Sequence, residues 1–207
     1  MTHPEAPEPS AAPAAPDAPG SAPSSLAGVM LIATPAMADP RFEHSVIYLC
    51  SHSSEGAMGL IVNKPSQDVS LDQLLTQLKI AKTAATKRIA VHFGGPVEMG
   101  RGFVLHSDDF ETPGVTQKLQ DGLALTATVE ILRAIARGRG PRRAMLALGY
   151  AGWSAGQLEA ELQSDGWLSC PGDAALVLDE ADDGKWAAAL GKIGVDPAVL
   201  SAVGGSA

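Results

Sequence analysis

Between His44 and His52 the chain is apolar on both strand parities, with Val46, Tyr48 and Cys50 on one and Ile47 and Leu49 on the other. Successive side chains of a strand point to opposite faces, so such a segment has to be covered from two sides. That parity suits a strand buried on both faces of its sheet. Glu55-Gly56 supplies a turn, and Met58 to Asn63 reads as the returning strand, ended by Lys64-Pro65. A β-hairpin is the simplest assembly of the two.

The flanking segments follow from periodicity and breakers. Gly28 to Ala33 is a short apolar strand closed by Thr34-Pro35. Ser70, with Gln73 three residues on, is a capping-box pattern opening a helix to Lys79, whose stripe is Leu71, Leu74, Leu75 and Leu78. Ile89 to Phe93 and Gly102 to His106 read as strands on either side of Gly94-Gly95-Pro96, and Leu123 to Thr126 as another. Thr126 to Arg137 carries helical spacing, with Gly138 as the residue that stops it. Ala144 to Tyr150 is a strand, and Ser154 with Gln157 repeats the capping-box pattern before a helix to Gln163. Trp167 to Ser169 and Ala174 to Leu178 read as strands, and Lys185 to Leu190 as a last helix. Strand hairpins with helices at irregular intervals predict a single α+β domain, not a regular βαβ alternation.

Residues 1–25 stand apart. They hold seven of the 15 prolines and no Lys or Arg. So little apolar surface cannot offset the entropy of ordering, and a disordered Pro/Ala-rich tail is expected, followed by one domain over 26–207. The tail lacks the cationic start and apolar stretch of a secretory signal and the arginines of a mitochondrial presequence. No apolar run approaches the roughly 18–20 residues of a membrane span. The net charge of −8 divides into −3 in the tail and −5 in the domain. Such a balance argues against a general polyanion binder.

Candidate chemistry is sparse. Cys50 and His52 share a parity with His44, but tetrahedral zinc needs four ligands, and His92 and His106 have no spacing that brings them in; no metal or other cofactor is expected. Cys50 reads as a core residue and Cys170, before Pro171-Gly172, as a surface one. Gly152-Trp-Ser-Ala-Gly156 has the spacing of a Gly-x-Ser-x-Gly motif, but the capping pattern of Ser154 with Gln157 accounts for that serine, and Gly94-Gly95-Pro96 is too short for a phosphate loop. Gly100-Arg101-Gly102 reads as a tight turn joining two strands, with an anion clamp as the alternative. Arg133, Arg137, Arg139, Arg142 and Arg143 concentrate five of the eight arginines in one segment. This segment is a candidate nucleic-acid contact, although the strand-like Ala144 to Tyr150 leaves no recognition helix after it. Cations at a helix C-terminus account for it more simply.

Several strings, in order, resemble a known family: Leu31-Ile-Ala-Thr-Pro-Ala-Met37, then Asp39-Pro-Arg-Phe42 and Ser45-Val-Ile-Tyr-Leu-Cys50. Glu55-Gly-Ala-Met-Gly-Leu-Ile-Val-Asn-Lys-Pro65, Phe93-Gly-Gly-Pro-Val97 and Arg101-Gly-Phe-Val-Leu-His106 follow, and Gly149-Tyr-Ala-Gly-Trp153 with Gly156-Gln-Leu-Glu159 completes the set. From Leu26 onward the chain resembles the AlgH/YqgE family of bacterial proteins. The resemblance implies a cytoplasmic α+β domain whose bifurcated β-sheet includes a small closed barrel surrounded by helices. It also implies a role in transcriptional regulation linked to exopolysaccharide production, without catalytic residues or a cofactor to carry across.

Taken together these readings favour a non-enzymatic cytoplasmic protein that binds a protein partner or small ligand and influences transcription indirectly. Direct DNA binding through Arg133–Arg143 is one alternative. A cryptic enzyme or anion-binding site built from Asn63, Arg101 and His106, the polar residues within the most distinctive strings, is the other. No membrane partner is expected, and the sequence leaves the oligomeric state open.

Overall fold

A computed structural model of the chain describes residues 25–203. The tail expected over 1–25 lies almost wholly outside the described residues. Nine strands and six α-helices are present among those described. The strands are β1 (Met30–Ala33), β2 (Val46–Ser53), β3 (Gly56–Ile61), β4 (Ala90–Phe93), β5 (Val97–Ser107), β6 (Gln117–Lys118), β7 (Leu123–Thr126), β8 (Ala144–Ser154) and β9 (Trp167–Cys170). The helices are α1 (Leu71–Gln77), α2 (Val129–Ala136), α3 (Gln157–Gln163), α4 (Ala174–Leu178), α5 (Lys185–Lys192) and α6 (Pro197–Val203). The α+β class expected from the sequence is the one observed.

The sheet runs β6-β7-β5-β8-β3-β2-β1-β9, and it forks at β8. On one edge β8 pairs antiparallel with β5, Leu148 facing Gly102 and Ala144 facing His106. On the other edge its first half pairs parallel with β4, while its second half pairs antiparallel with β3, Gly56 facing Ser154. Gly94 sits at the fork, donating its N–H to the Leu148 carbonyl and accepting the Ile61 N–H on its own carbonyl, at 2.8 and 2.9 Å. Gly149 takes φ +72° there, and a Cβ on it would stand 2.3 Å from the Gly95 carbonyl oxygen. A Cβ on Gly94 would stand 2.3 Å from the Gly149 oxygen. The two glycine strings are needed because two backbones cross within touching distance, which leaves no room for side chains.

The expected closed barrel is instead an open curl. The ladder ends at β6 and β9, which do not pair with each other. The turn between β6 and β7 spans part of the gap without strand pairing. Tyr48 donates its hydroxyl to the Gln120 carbonyl at 3.2 Å, and a Cβ on Gly172 would meet an Asp121 carboxylate oxygen at 2.0 Å. Inside the curl, Met30, Tyr48, Leu60, Leu105, Leu123 and Met145 form the main core, covered at one end by α4 and α5. On the outside, α3 covers Leu31, Ile47 and Ile61 on one branch, and α1 with α2 covers Val104 and Leu146 on the other. Val46 to Cys50 is buried throughout, the two-sided covering that its parity demands. Each large aliphatic side chain so buried contributes on the order of 1.5–3 kcal/mol.

Helix boundaries show where local signals hold. Ser70 caps α1 with both halves of the capping box formed. Gly138, at φ +70°, ends α2 by donating to the Ile135 carbonyl. Ser154 makes only half of its expected box: its N–H and hydroxyl both reach Gln157 Oε1, but Ser154 closes β8 and Gly156 is the cap residue of α3. Three expectations are corrected. Ala174–Leu178 is helix α4 and not a strand, because Asp173 accepts the N–H groups of Ala175 and Leu176 and so starts a helix in a segment of good helix formers. Cys170 is buried, since its strand is paired with β1 and its side chain faces the core. Gly100-Arg101-Gly102 lies inside β5, where the register jumps between Val97 and Gly102, and is not a turn joining two strands.

Gly149→Ala has to accept a left-handed backbone and a Cβ against two carbonyl oxygens, so it should cost about 3 kcal/mol or more in urea unfolding. Gly100→Ala, which meets nothing within 4 Å, should stay within about 1 kcal/mol of the parent. Equal midpoints for the two variants would show that the crossing does not constrain the fold.

Candidate functional site

The curl holds a cleft of about 780 Å³. Ser51 and Ser53 come from the end of β2, Glu55 and Met58 from the hairpin, Arg101 and Phe103 from β5, and Tyr150, Gly152 and Trp153 from β8. Four of the sequence strings that carry the family resemblance therefore supply walls to one cavity. Their glycines are explained by the same geometry: a Cβ on Gly56 would stand 2.2 Å from the Trp153 carbonyl oxygen. Past Tyr150, the strand edge of β8 opposite β3 carries no strand among the described residues. Free main-chain groups at such an edge can receive a ligand or an added strand.

Behind the cleft, two buried indoles beneath α3 share one carboxylate. Trp153 Nε1 donates to Glu161 Oε2 at 2.9 Å, and Trp167 Nε1 donates to the same oxygen at 2.7 Å. Gln157 donates to the other oxygen at 2.9 Å. Phe103 and Tyr150 meet edge to face at 5.8 Å, and the Arg101 guanidinium lies 4.9 Å from the Phe103 ring centre. Arg101 pairs with Glu98 at 3.2 Å in an exposed contact that contributes little to stability. Its unused donors leave it able to take an acidic or carbonyl group. The cleft thus combines ring faces, a cation, hydroxyls and free backbone.

The three residues grouped from sequence do not meet. Arg101 lines the cleft. Asn63 is a structural clamp, accepting the Val46 N–H and donating to the His44 carbonyl, each at 2.8 Å. It borders a separate cavity with Lys64, Pro65 and Met99. His106 is completely buried. Its Nδ1 lies 2.8 Å from the Ser107 carbonyl, which can only accept, so Nδ1 carries the proton. Nε2 then accepts from Thr126 at 2.9 Å, Thr126 accepts from Thr116 at 2.8 Å, and Thr116 accepts the Thr112 N–H. Burial holds the His106 imidazole below its ordinary pKa, because a cation there would lose water and invert this chain.

The arginine segment is largely paired. Arg133 contacts Glu130, Arg142 contacts Asp109 at 2.9 Å, and Arg143 contacts Asp179. Arg137 and Arg139 are exposed, with no carboxylate partner among the described residues. Cys50 and His52 are separated by a register shift between Leu49 and Ser51. Cys50 is buried, which pushes its thiol up to about 12, whereas His52 accepts the Leu26 N–H and contacts Glu159 at 2.8 Å. Neither cysteine is in a disulfide. Among the described residues no three His, Cys, Asp or Glu side chains cluster as metal ligands would.

Sequence reasoning missed a buried ionic network. Lys185, only 3% exposed, donates to the Val62 carbonyl at 2.7 Å and to Asp182 at 2.9 Å. His92 Nε2 meets the same Asp182 oxygen at 2.9 Å. Burial pushes the Asp182 carboxyl up, but hydrogen bonds from Lys185 and His92 outweigh it and leave the group below its ordinary value. Its i,i+3 spacing to Lys185 is the only part of this network visible along the chain.

A family model described as AlgH-like matches residues 30–198. The chain belongs to the AlgH-like family. A UPF0301 protein of Methylobacterium nodulans is 54% identical, over 91% of this chain and 94% of its own. Another, from Bradyrhizobium diazoefficiens, is 53% identical over 92% of each. The solution structure of the AlgH protein from Pseudomonas aeruginosa superposes with a TM-score of 0.73 at 43% identity, covering 91% of this chain and 99% of that one. A crystal structure of a Corynebacterium diphtheriae protein, at 22% identity, shares the fold with a TM-score of 0.62 over 78% of this chain and 83% of its own. No helix among the described residues of this AlgH-like protein is long and apolar enough to cross a membrane.

The His106 shift fixes a sign for the pH dependence. With the folded pKa below the unfolded 6.5, the unfolded chain binds more protons between the two values. The contribution of His106 is therefore complete above the unfolded value and is lost as pH falls toward the folded one. Thermal unfolding should show a smaller drop between pH 7 and pH 5 for His106→Gln than for the parent. An identical drop would remove His106 from the account.

Proposed function

We propose that this AlgH-like protein acts by binding, and that the cleft of the curl is where its ligand or partner sits. One observation carries the reading: strings spread from Glu55 to Trp153 converge on a single cavity, with side chains and backbone presented together. Cavities of this size accept small molecules or a short extended segment of another protein. The aromatic rings provide stacking faces, Arg101 a point of attachment for an acidic or carbonyl group, and the β8 edge main-chain donors and acceptors. Ser51, Ser53 and Ser154 have no histidine or lysine hydrogen-bonded to them among the described residues, and the Ser154 hydroxyl is committed to Gln157, so none of these serines is set up as a nucleophile. Binding rather than turnover is the activity this set of groups supports best.

In this reading the protein works in the cytoplasm and affects gene expression through what the cleft holds. Direct contact with DNA through Arg133–Arg143 is less favoured, because three of the five arginines are paired with carboxylates.

The test is a thermal-shift screen of metabolites and short peptides against the parent, Gly152→Leu and Arg101→Ala. Gly152 faces the cleft, where an added Cβ meets nothing closer than a Tyr150 ring carbon at 3.2 Å, so the leucine should fill the cavity without unfolding the chain. A compound that stabilises the parent should lose at least about tenfold in affinity on Gly152→Leu. Stabilisation by every hit that survives both substitutions would place binding elsewhere.

A further inference from the structure

The structure assigns a second binding site, for a small phosphate-bearing ligand with a flat apolar body, to a cavity where two sequence-distant cationic segments meet. This cavity, of about 570 Å³, is separate from the cleft. Its floor is apolar, with Ile89, Ile135 and Leu178, and its cations are Arg88, Arg142 and Arg143. Arg88 arrives from a short 3-10 turn (Thr86–Arg88) that packs against α2, which brings it to the arginine segment beyond that helix. Chain order alone does not group these residues.

The hydrogen bonds explain why these arginines point to a ligand and not merely to a solvated surface. Asp109 accepts Arg142 Nε and its backbone N–H, which fixes the guanidinium while leaving both terminal nitrogens without a partner. Asp179 accepts one terminal nitrogen of Arg143, leaving its Nε and other terminal nitrogen unused. Neither carboxylate lines the cavity. Arg88 has no side-chain partner at all among the described residues. Guanidinium groups fixed from behind with forked donors unspent match the oxygens of a phosphate.

Two opposing charges have to be answered. The C-terminus of α2 is the negative end of a helix, but Arg137, Gly138 and Arg139 donate their N–H groups to the carbonyls of Arg133, Ala134 and Ile135. Asp109 and Asp179 offset two of the three lining arginines. Arg88 is left uncompensated, as are Lys87, Arg137 and Arg139, which adjoin the lining residues Arg88 and Gly138 and have no ion pair among the described residues. Within a chain of net charge −8 this is a local positive field over a concave apolar floor. Duplex DNA wants a long convex run of unpaired cations, whereas this half-open concavity with arginines at its rim and an apolar floor fits a nucleotide-sized anion.

The experiment is calorimetric titration of the full chain with ADP, adenosine, pyrophosphate and a DNA duplex of about 20 base pairs, with backbone amide shifts recorded for ADP. ADP should saturate one site and move amides within Ala85–Ile89 and Gly138–Ala144. Adenosine and pyrophosphate should each bind at least about tenfold more weakly than ADP, since each supplies half of the recognition. Arg88→Ala, which leaves no carboxylate unpaired, should weaken ADP at least about tenfold; Arg41→Ala, at an exposed pair with Asp39, should not. Absence of saturation by ADP at millimolar concentration would overturn the assignment. So would equal affinity for pyrophosphate, undiminished binding by Arg88→Ala, or DNA binding without ADP binding.

Discussion

Everything in this fold depends on the close crossing of Gly94-Gly95 and Gly149. Strand β8 can serve two branches of a sheet only if a neighbouring backbone switches sides against it. That switch brings carbonyl oxygens to distances at which a single methyl group would collide. Gly94 then bonds to β8 on one side and to Ile61 on the other, so one residue joins both branches. Widening the crossing by a side chain would separate β3 from β8, and with it the hairpin wall of the cleft from its floor.

The buried polar groups follow the same logic of enforced geometry. Lys185 ties the last long helix to the Val62 carbonyl where β3 runs out, and Asp182 lies between it and His92. Removing one member would strand a charge in the interior, a far larger penalty than the net worth of the pair. His106 answers burial differently, staying neutral inside a chain of hydroxyls whose donors all have acceptors. Neither arrangement lines the cleft, whereas His106 is joined to the wall of the basic cavity through Ser107, which bonds the Arg143 N–H and Asp109.

How much was legible in the sequence depended on whether the deciding partner was close along the chain. The hairpin, α1 and the end of α2 were read correctly, because parity, a Ser-to-Gln capping pair and a terminal glycine are local signals. Ala174–Leu178 was misread because a five-residue apolar run is ambiguous, and the Asp173 cap was overlooked. Arg101 and His106 share a string, but Arg101 falls where the β5 register jumps and His106 in the regular ladder beyond it. Their odd spacing puts one over the cleft and the other behind the sheet. Arg88 was passed over for the opposite reason, since only the packing of its turn against α2 gives it neighbours of like charge.

The shared carboxylate beneath the two indoles has a practical consequence. Trp153 and Trp167, 6.1 Å apart between ring centres, are both buried in the cluster beneath α3. Both ring nitrogens are held by one oxygen of Glu161, so the pair is rigid and keeps a constant mutual orientation. Both rings stay screened from solvent, and Trp186 of α5 donates its own ring N–H to the Ala33 carbonyl, so the intrinsic fluorescence of all three tryptophans reports how helices seat on the sheet. The protein carries its own optical gauge of helix docking, needing no label.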